Sequence, residues 1–319
     1  MDCLEPICRN LSQIKVVQME KFLLICGLPR SGTTLMETVL GSHSQISLPP
    51  GDYPFVEQYI KGFSVEKIFI TLSKRGPWRK WCVKDFSDLV DKSHAEAFRN
   101  SMIRYATAID KKIPAAKAPN SEFFHEIYQE WLQDFDLRFV HVVRNPFDVM
   151  ASLKHSSYHE NMFAFKNVIE LQSKNWQRST SIGLARGLIN PENYLMIQYE
   201  KFVDDPTSHT KAICSFLDVE FEKERMLNRV DYSYHDTNTS FPTDKKGKTQ
   251  GRYIYRAKSR KSFLDKSEIE LICSNCGETA KAFGYEDKEF RFSPPLYPKK
   301  LKTTVRIKRK VRRAYQKMF

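Results

Sequence analysis

Short apolar runs alternate along this chain with longer segments of helical periodicity. The candidate strands are Phe22–Cys26, Trp81–Val83, Ala115–Ala116, Arg138–Val143 and Leu195–Gln198. Runs without polar alternation are typical of parallel strands that helices cover on both faces. The pattern therefore predicts an α/β fold of three layers, α/β/α, around a central and mostly parallel sheet.

The segments between these runs predict helices and one long loop. The helices are expected at Thr34–Leu40, Ser93–Ala108, Phe123–Gln133, Pro146–Lys154, Ala164–Leu184 and Ser267–Phe283. The stretch Tyr232–Arg260 is polar and basic without a clear period, which is typical of a lid or ligand-binding loop. We expect one domain over residues 20–285 and a basic extension over residues 286–319.

A glycine-bounded turn, Gly27–Thr34, directly follows the first strand. Its sequence GLPRSGTT matches the phosphate-loop pattern G-x-x-x-x-G-K-[ST], except that Thr33 replaces the lysine. Such a loop directs backbone N–H groups and a helix N-terminus at an anion. Because the lysine reaches the β- and γ-phosphates in nucleotide triphosphatases, its absence argues against ATP or GTP hydrolysis. The loop predicts a P-loop-like fold and a nucleotide whose second group is not a γ-phosphate.

A second candidate anion site follows the strand Arg138–Val143. Arg144 comes directly after this strand, and Ser152 lies two turns along the next predicted helix. Open α/β sheets bind ligands at the carboxyl ends of their strands, and an arginine can bind a phosphate through two hydrogen bonds. An ion pair with Asp148 is the structural alternative for this motif taken alone.

Composition favours an ordered protein of a reducing compartment. The chain has 319 residues, of which 41% are hydrophobic and 13% aromatic. Its seven cysteines are scattered and do not suggest a disulfide framework. Cys273 and Cys276 are interpreted as helix-face cysteines, with a zinc or redox pair as the alternative. No signal peptide or membrane span is evident, so we expect a cytoplasmic protein that can be peripheral at a membrane.

Most of the net charge of +13 lies at the end of the chain. Residues 299–319 contain ten Lys or Arg and no acid. This tail is either a solvated basic end or a contact for an anionic membrane or a polyanionic substrate. Nucleic acid is the least favoured partner.

Three motifs occur in a specific order: the Gly27–Thr34 loop, Arg144-x7-Ser152, and Tyr199-Glu200-x-Phe202-Val203-x-Asp205-Pro206. Together they resemble the sulfotransferases that use 3′-phosphoadenosine 5′-phosphosulfate (PAPS). The resemblance covers about residues 20–285. It is to the branch with a Pro-Arg-Ser-Gly-Thr-Thr loop, which includes tyrosylprotein, carbohydrate and many bacterial sulfotransferases.

The resemblance implies a donor site made of two anion-binding parts. The residues that would hold the 5′-phosphosulfate are Arg30, Ser31, Gly32, Thr33 and Thr34. Those that would surround the nucleotide and its 3′-phosphate are Arg144, Ser152, Tyr199, Gly251 and Arg252. Lys117 matches a lysine at a strand end near the sulfuryl group. Because catalysis can then rest on positioning and charge neutralisation, no metal is expected.

The general base is where this chain departs from the sulfotransferases that it resembles. The cytosolic branch has a histidine just after the lysine, where this chain has Ala118, and the tyrosylprotein branch uses a carboxylate after the phosphate-loop helix. Asp52 is nearest to that spacing, and Glu57 is the second candidate. The remaining alternatives are His43, His155 and His159. The tyrosylprotein branch also has a basic residue where this chain has Ser156, for which Lys154 or His155 could substitute.

The expected acceptor is a hydroxyl or amine on a glycan, a glycolipid, another lipid-linked sugar or a small molecule. Four aromatic residues near the acceptor side are interpreted as core rather than as sugar-stacking groups: Tyr53, Phe55, Trp78 and Trp81. The rival interpretations are a P-loop nucleotide kinase and a non-catalytic module that binds nucleotides or polyanions.

Overall fold

The computed structural model describes residues 19–76, 78, 81–155, 168–228 and 261–285. The predicted loop Tyr232–Arg260 and the basic extension over residues 286–319 lie outside these ranges. The proposed domain boundaries therefore stay predictions.

Five parallel strands form the sheet of the described part of the chain. They are β1 (Lys21–Cys26), β2 (Ile46–Ser47), β3 (Ile113–Lys117), β4 (Asp136–Val143) and β5 (Tyr194–Gln198). Their order is β2-β3-β1-β4-β5, and every neighbouring pair is parallel. The predicted α/β fold with a parallel sheet is confirmed.

Helices cover both faces of this sheet. They are α1 (Thr33–Gly41), α2 (Phe55–Ile60), α3 (Val65–Ser73), α4 (His94–Ala108), α5 (His125–Trp131), α6 (Pro146–His155), α7 (Val168–Ile189), α8 (Tyr199–Asp204), α9 (Pro206–Leu217) and α10 (Lys266–Ala282). Side chains alternate along β1: Phe22 and Leu24 face the core with α2 to α5, whereas Leu23 and Ile25 face α1, α8 and α9. This alternation explains why the strand is apolar throughout. None of the described helices is both long and apolar enough to cross a bilayer.

The structure differs from the predicted elements in several places. Residues 81–83 do not form a strand, because Trp81 stacks on Trp78 at 4.6 Å between ring centroids and belongs to the helical side of the core. The two-residue edge strand β2 and the helices α2, α3, α8 and α9 were not predicted. The predicted helix Phe123–Gln133 consists of a 3₁₀ turn, Ser121–Phe124, followed by α5. Tyr53, Phe55 and both tryptophans are buried in the core.

The carboxyl ends of four neighbouring strands meet at one edge of the sheet. β1 leads into Gly27, β3 ends at Lys117, β4 leads into Arg144 and β5 leads into Tyr199. From β1 the chain continues to β2 and β3 on one side of β1, and later to β4 and β5 on the other. Such a change of direction opens a crevice at the carboxyl edge, where α/β sheets bind their ligands. The fold thus brings all the predicted motifs of the described residues to one place.

Candidate active site

The phosphate loop needs glycine at its first position. Gly27 has φ 126°, and a Cβ there would lie 2.3 Å from the carbonyl oxygen of Val142 on β4. Only glycine adopts this conformation readily and permits so close an approach. The loop then turns back on itself, as Ser31 N–H donates to the Leu28 carbonyl at 3.1 Å.

The loop ends at the N-terminus of α1. Gly32 is the N-cap, with φ 101°, and no side chain caps the helix. The N–H groups of a first helical turn have no acceptors within the helix, so they are available to an anion. The ring of Tyr199 packs against Gly32, where a Cβ would lie 2.5 Å from Cδ2. The third sequence motif therefore contacts the first directly.

A buried network supports the loop from below. Gly27 N–H donates to Glu122 Oε2 at 3.0 Å, and Ser179 donates to the other carboxylate oxygen. Ser179 Oγ lies 3.2 Å from His141 Nε2, and His141 Nδ1 lies 2.8 Å from the Tyr194 hydroxyl. These contacts are all satisfied if Nε2 carries the proton of a neutral imidazole and Tyr194 donates to Nδ1.

Burial shifts the pKa values of two groups in this network towards their neutral forms. It raises the pKa of Glu122, against the opposing effect of the bonds from Ser179 and Gly27. It also lowers the pKa of His141 to about 3, so that this imidazole is uncharged at neutral pH. The network is therefore a buried structural support for the loop.

Arg144 is buried beside the phosphate loop. Its Nη1 donates to the Arg30 carbonyl at 3.2 Å, and its Cζ lies 4.5 Å from the centroid of the Tyr199 ring. Trp176 Nε1 donates to the Arg144 carbonyl at 2.9 Å and fixes the backbone from the α7 side. Arg144 Nε has no hydrogen-bond partner among the described residues, although it is buried.

Arg30 connects the two predicted anion-binding parts. It lies in the phosphate loop with φ 73°, and its Nε donates to Ser152 Oγ on α6 at 3.0 Å. From the sequence, Arg30 is expected in the 5′ part and Ser152 in the 3′ part. The structure brings both residues into one cluster with Arg144 and Tyr199.

Lys117 extends from the end of β3 into the same crevice. Only 3% of its side chain is exposed, and its ammonium contacts Glu37 Oε2 at 2.6 Å, Asp52 Oδ1 at 2.9 Å and Thr34 Oγ1 at 3.3 Å. Burial alone would lower the pKa of Lys117, but the carboxylates of Asp52 and Glu37 outweigh it and raise the pKa. This lysine therefore remains a cation at the edge of the phosphate loop.

The candidate bases differ in their surroundings. Asp52 is 46% exposed while one oxygen contacts Lys117, so it is open to an incoming molecule. Glu57 lies in the first turn of α2 and pairs with Lys61 at 3.0 Å. His43 is buried, with Nδ1 accepting from the Gln45 N–H and Nε2 bonded to the Glu220 carbonyl. Both of its nitrogens are thus engaged in holding the backbone.

Several predicted residues lie outside what the structure describes. These are Gly251, Arg252, Ser156, His159 and the side chain of His155.

Two important residues, Glu37 and Glu122, were not predicted from the sequence, and both are buried carboxylates. A lone acid in the otherwise apolar or hydroxyl-bearing segment Thr33–Leu40 was the available signal for Glu37. Within the described ranges, no group of His, Cys, Asp or Glu is arranged to hold a metal ion.

The residues present fit a ligand that carries phosphate or a similar anion. Arg144 offers a buried donor, Nε, that lacks a protein partner, and α1 offers an N-terminus without a side-chain cap. A guanidinium in this position matches the geometry of a phosphate. The fold and the site together define an α/β protein with a phosphate loop and a second cationic site beside it.

Residues 23–223 match the model of the sulfotransferase family. The match covers more than half of the chain, so the chain belongs to the sulfotransferase family.

Similar solved structures have the same fold. One is the sulfotransferase domain of the Synechococcus PCC 7002 olefin synthase, with a TM-score of 0.53 and 20% identity over 86% of this chain and 98% of that one. Another is the sulfotransferase domain from the curacin biosynthetic pathway, with a TM-score of 0.51 and 18% identity. The match covers 84% of this chain and 98% of that one. At such identities the likeness concerns the fold alone.

A curated relative from Aquifex aeolicus (strain VF5), described as an uncharacterized protein, is 27% identical over 142 residues. The match covers 44% of this chain and 17% of the relative's length.

Proposed function

We propose that this protein transfers the sulfuryl group of PAPS to a hydroxyl or amine acceptor. The observation that carries the proposal is the position of Arg144: a buried arginine beside a phosphate loop that lacks its lysine, with Nε unpaired among the described residues. A triphosphate site needs the loop lysine, whereas a donor with phosphates at both the 5′ and the 3′ positions needs a second cation. Membership of the sulfotransferase family supports the same conclusion.

The chain would bind the donor through the two parts of the crevice. The N-terminus of α1 and the loop residues Arg30 to Thr34 would receive the 5′-phosphosulfate. Arg144 and Ser152 would bind the 3′-phosphate, and Tyr199 would lie beside the nucleotide. PAPS supplies the sulfuryl group, and 3′,5′-adenosine bisphosphate is the leaving product.

The transfer itself would depend on charge placement. Asp52 would accept the proton of the acceptor hydroxyl while the oxygen of that hydroxyl forms its bond to sulfur. The bond from sulfur to the bridging phosphate oxygen breaks, and this oxygen keeps the electron pair. Lys117 and the loop N–H groups would stabilise that developing negative charge. As in phosphoryl transfer, the protein contributes positioning and electrostatics rather than a covalent intermediate.

The acceptor is proposed only as a class. Sulfotransferases as a family act on hydroxyl-bearing acceptors, and the open side of Asp52 allows such a group to approach. The basic tail favours an anionic acceptor, either a glycan or a lipid-linked sugar at a membrane surface, with a small molecule as the alternative.

The test compares nucleotides that differ in one phosphate. Calorimetry without metal would measure 3′,5′-adenosine bisphosphate, 5′-AMP and ATP on the wild type and on Arg144→Ala. A matched control is Arg99→Ala, which removes an arginine whose partner is the surface residue Asp134. We expect the wild type and the control to prefer the bisphosphate, and Arg144→Ala to lose this preference.

Product formation from PAPS in EDTA completes the test. Sulfuryl transfer in EDTA contradicts the kinase interpretation, and binding without turnover supports the non-catalytic module. A wild type that does not distinguish the bisphosphate from 5′-AMP overturns the proposal.

A further inference from the structure

Glu37 occupies an unusual place in the phosphate-loop helix. It follows Thr34 by three residues on α1, so the two side chains lie on the same face of the helix. Its side chain is only 4% exposed. Burial raises the pKa of Glu37, against the opposing charge of Lys117. A carboxylate in such a place is costly unless it is paired and hydrogen-bonded.

Its two oxygens contact the two parts of the site that carry the candidate catalytic groups. Oε2 lies 2.6 Å from the Lys117 ammonium, and Oε1 accepts the Gly51 N–H at 2.8 Å. Gly51 directly precedes Asp52. Glu37 therefore connects the phosphate-loop helix to both the lysine and the segment of the candidate base.

Hydrogen bonds on both sides of Asp52 also hold this segment. Tyr53 N–H donates to the Lys117 carbonyl at 2.8 Å, and Trp81 Nε1 donates to the Pro50 carbonyl at 3.2 Å. The backbone on both sides of Asp52 is thus fixed, whereas the Asp52 side chain is 46% exposed. The segment can keep its position while the Asp52 carboxylate changes partners.

The three contacts of the Lys117 ammonium differ in length and in burial. An ammonium has three donors, and here they face Glu37, Asp52 and Thr34. Glu37 is the shortest and most buried of these contacts, and Asp52 is the exposed one. An anion that enters the crevice can therefore replace the exposed Asp52 carboxylate at the ammonium more readily than the buried Glu37 carboxylate, which the Gly51 N–H also holds.

We propose that Glu37 is a positioning residue that holds Lys117 and the Asp52 segment in reacting geometry and stays in place when an anionic donor binds. This inference rests on the proposed function in one respect, since the donor is taken to be PAPS. Lys117 then keeps one permanent counter-ion, and Asp52 is the exchangeable partner. Donor binding at Lys117 would release the Asp52 carboxylate to accept the acceptor's proton, which couples the base to an occupied donor site.

The test removes the charge of Glu37 and keeps its size. Glu37→Gln is compared with Glu37→Asp, which keeps the charge on a shorter side chain. The control is Glu222→Gln, which neutralises another partly buried carboxylate whose partner, Ser44, lies at the other end of α1. The first readout is the titration of the Lys117 ammonium by ¹⁵N NMR, with its signal assigned by its loss in Lys117→Arg.

We expect the pKa of Lys117 to fall in Glu37→Gln, because the buried ammonium loses one of its two counter-charges. The fall should be smaller in Glu37→Asp and absent in Glu222→Gln. Turnover should fall at least about tenfold in Glu37→Gln at saturating acceptor, with the affinity for 3′,5′-adenosine bisphosphate within about twofold of wild type. Glu37→Asp should recover part of the turnover.

Two results would overturn the inference. One is an unchanged Lys117 titration in a folded Glu37→Gln protein. The other is a lower melting temperature with unchanged turnover, which would describe a merely structural residue. If the wild type fails to bind the bisphosphate, the proposed function fails, but the Lys117 titration still decides whether Glu37 controls this lysine. Should Glu37→Gln not fold, Glu37→Asp decides through the same titration.

Discussion

The backbone N–H of Gly27 donates to the carboxylate of Glu122 at 3.0 Å. Glu122 lies in the 3₁₀ turn after β3, so a residue far along the chain fixes the start of the phosphate loop. Ser179 on α7 in turn bonds to that carboxylate. The loop is therefore held by a buried side chain as well as by its own backbone.

Removing this support should destabilise the fold and loosen the loop. Glu122→Ala leaves the Gly27 N–H buried without a partner, at a cost of about 1–3 kcal/mol in the free energy of unfolding. Urea denaturation measures the loss, and calorimetry with 3′,5′-adenosine bisphosphate should show weaker binding. Glu122→Gln keeps an acceptor for Gly27 and should lose less. Equal stability of wild type and Glu122→Ala would contradict the support role.

A methyl group at Gly32 should lower the stability of the fold and weaken nucleotide binding through strain in the phosphate loop. Gly32→Ala puts a side chain at φ 101° and 2.5 Å from the Tyr199 ring, so both the strain and the displaced ring oppose it. We expect a loss of about 1–3 kcal/mol in the free energy of unfolding, together with weaker nucleotide binding. Thermal unfolding and calorimetry measure the two effects.

Gly187→Ala is the matched control for Gly32→Ala. Gly187 lies in α7, and a Cβ there meets nothing closer than the Tyr194 carbonyl oxygen at 3.8 Å. Alanine is the better helix former by about 1 kcal/mol, so this variant should be as stable as wild type or more stable. A similar loss in both variants would show that the close approach to Tyr199 is not the cause.

His141 should make the protein sensitive to mild acid. Its pKa is about 3 in the folded protein, because burial disfavours the charged ring, against an ordinary value of 6.5. Below pH 6.5 His141 is therefore protonated in the unfolded chain but not in the folded protein. The free energy of unfolding falls as the pH falls from 6.5 towards 3. Two pH units below 6.5, this effect lowers the free energy of unfolding by about 3 kcal/mol.

The difference between variants isolates this contribution. His141→Gln keeps a donor and an acceptor for Ser179 and Tyr194 but cannot be protonated. Its free energy of unfolding, measured in urea from pH 7 to pH 4.5, should depend less on pH than that of wild type. His209→Gln, on the surface helix α9, should keep the wild-type dependence. Parallel curves for wild type and His141→Gln would contradict the prediction.

The sequence predicted the parts of the fold that depend on local pattern. β1 and β4 are apolar runs in the centre of the sheet, and the glycines of the phosphate loop occur at their required spacing. The run around Trp81 looked the same locally, yet it packs against Trp78 and Pro50 rather than pairing as a strand. Periodicity cannot distinguish a strand from a short buried segment, because both bury a continuous apolar run.

Some residues of the candidate site could likewise be predicted from the sequence, and others could not. Arg144 was predicted because it directly follows a recognisable strand, whereas Lys117 and Asp52 were predicted from the family resemblance. Glu37 and Glu122 were not found, since a buried carboxylate acquires its meaning only from partners such as Lys117 and Gly27 that lie far away in the sequence. Long-range contacts of this kind leave no periodic signal.

The choice between the two carboxylates proposed as general base is open to a direct test. Asp52→Asn should lower kcat by about 10²–10⁴-fold, the usual contribution of general-base catalysis, and leave the affinity for 3′,5′-adenosine bisphosphate nearly unchanged. Asp52 contacts Lys117 and remains 46% exposed, so it can reach both the donor site and an acceptor. Glu57→Gln should keep kcat within about threefold of wild type, because Glu57 is engaged with Lys61 on α2 and its i,i+4 pair contributes little to the fold. Steady-state kinetics with PAPS and a sugar acceptor measures both variants, and the reverse order of effects would assign the base to Glu57.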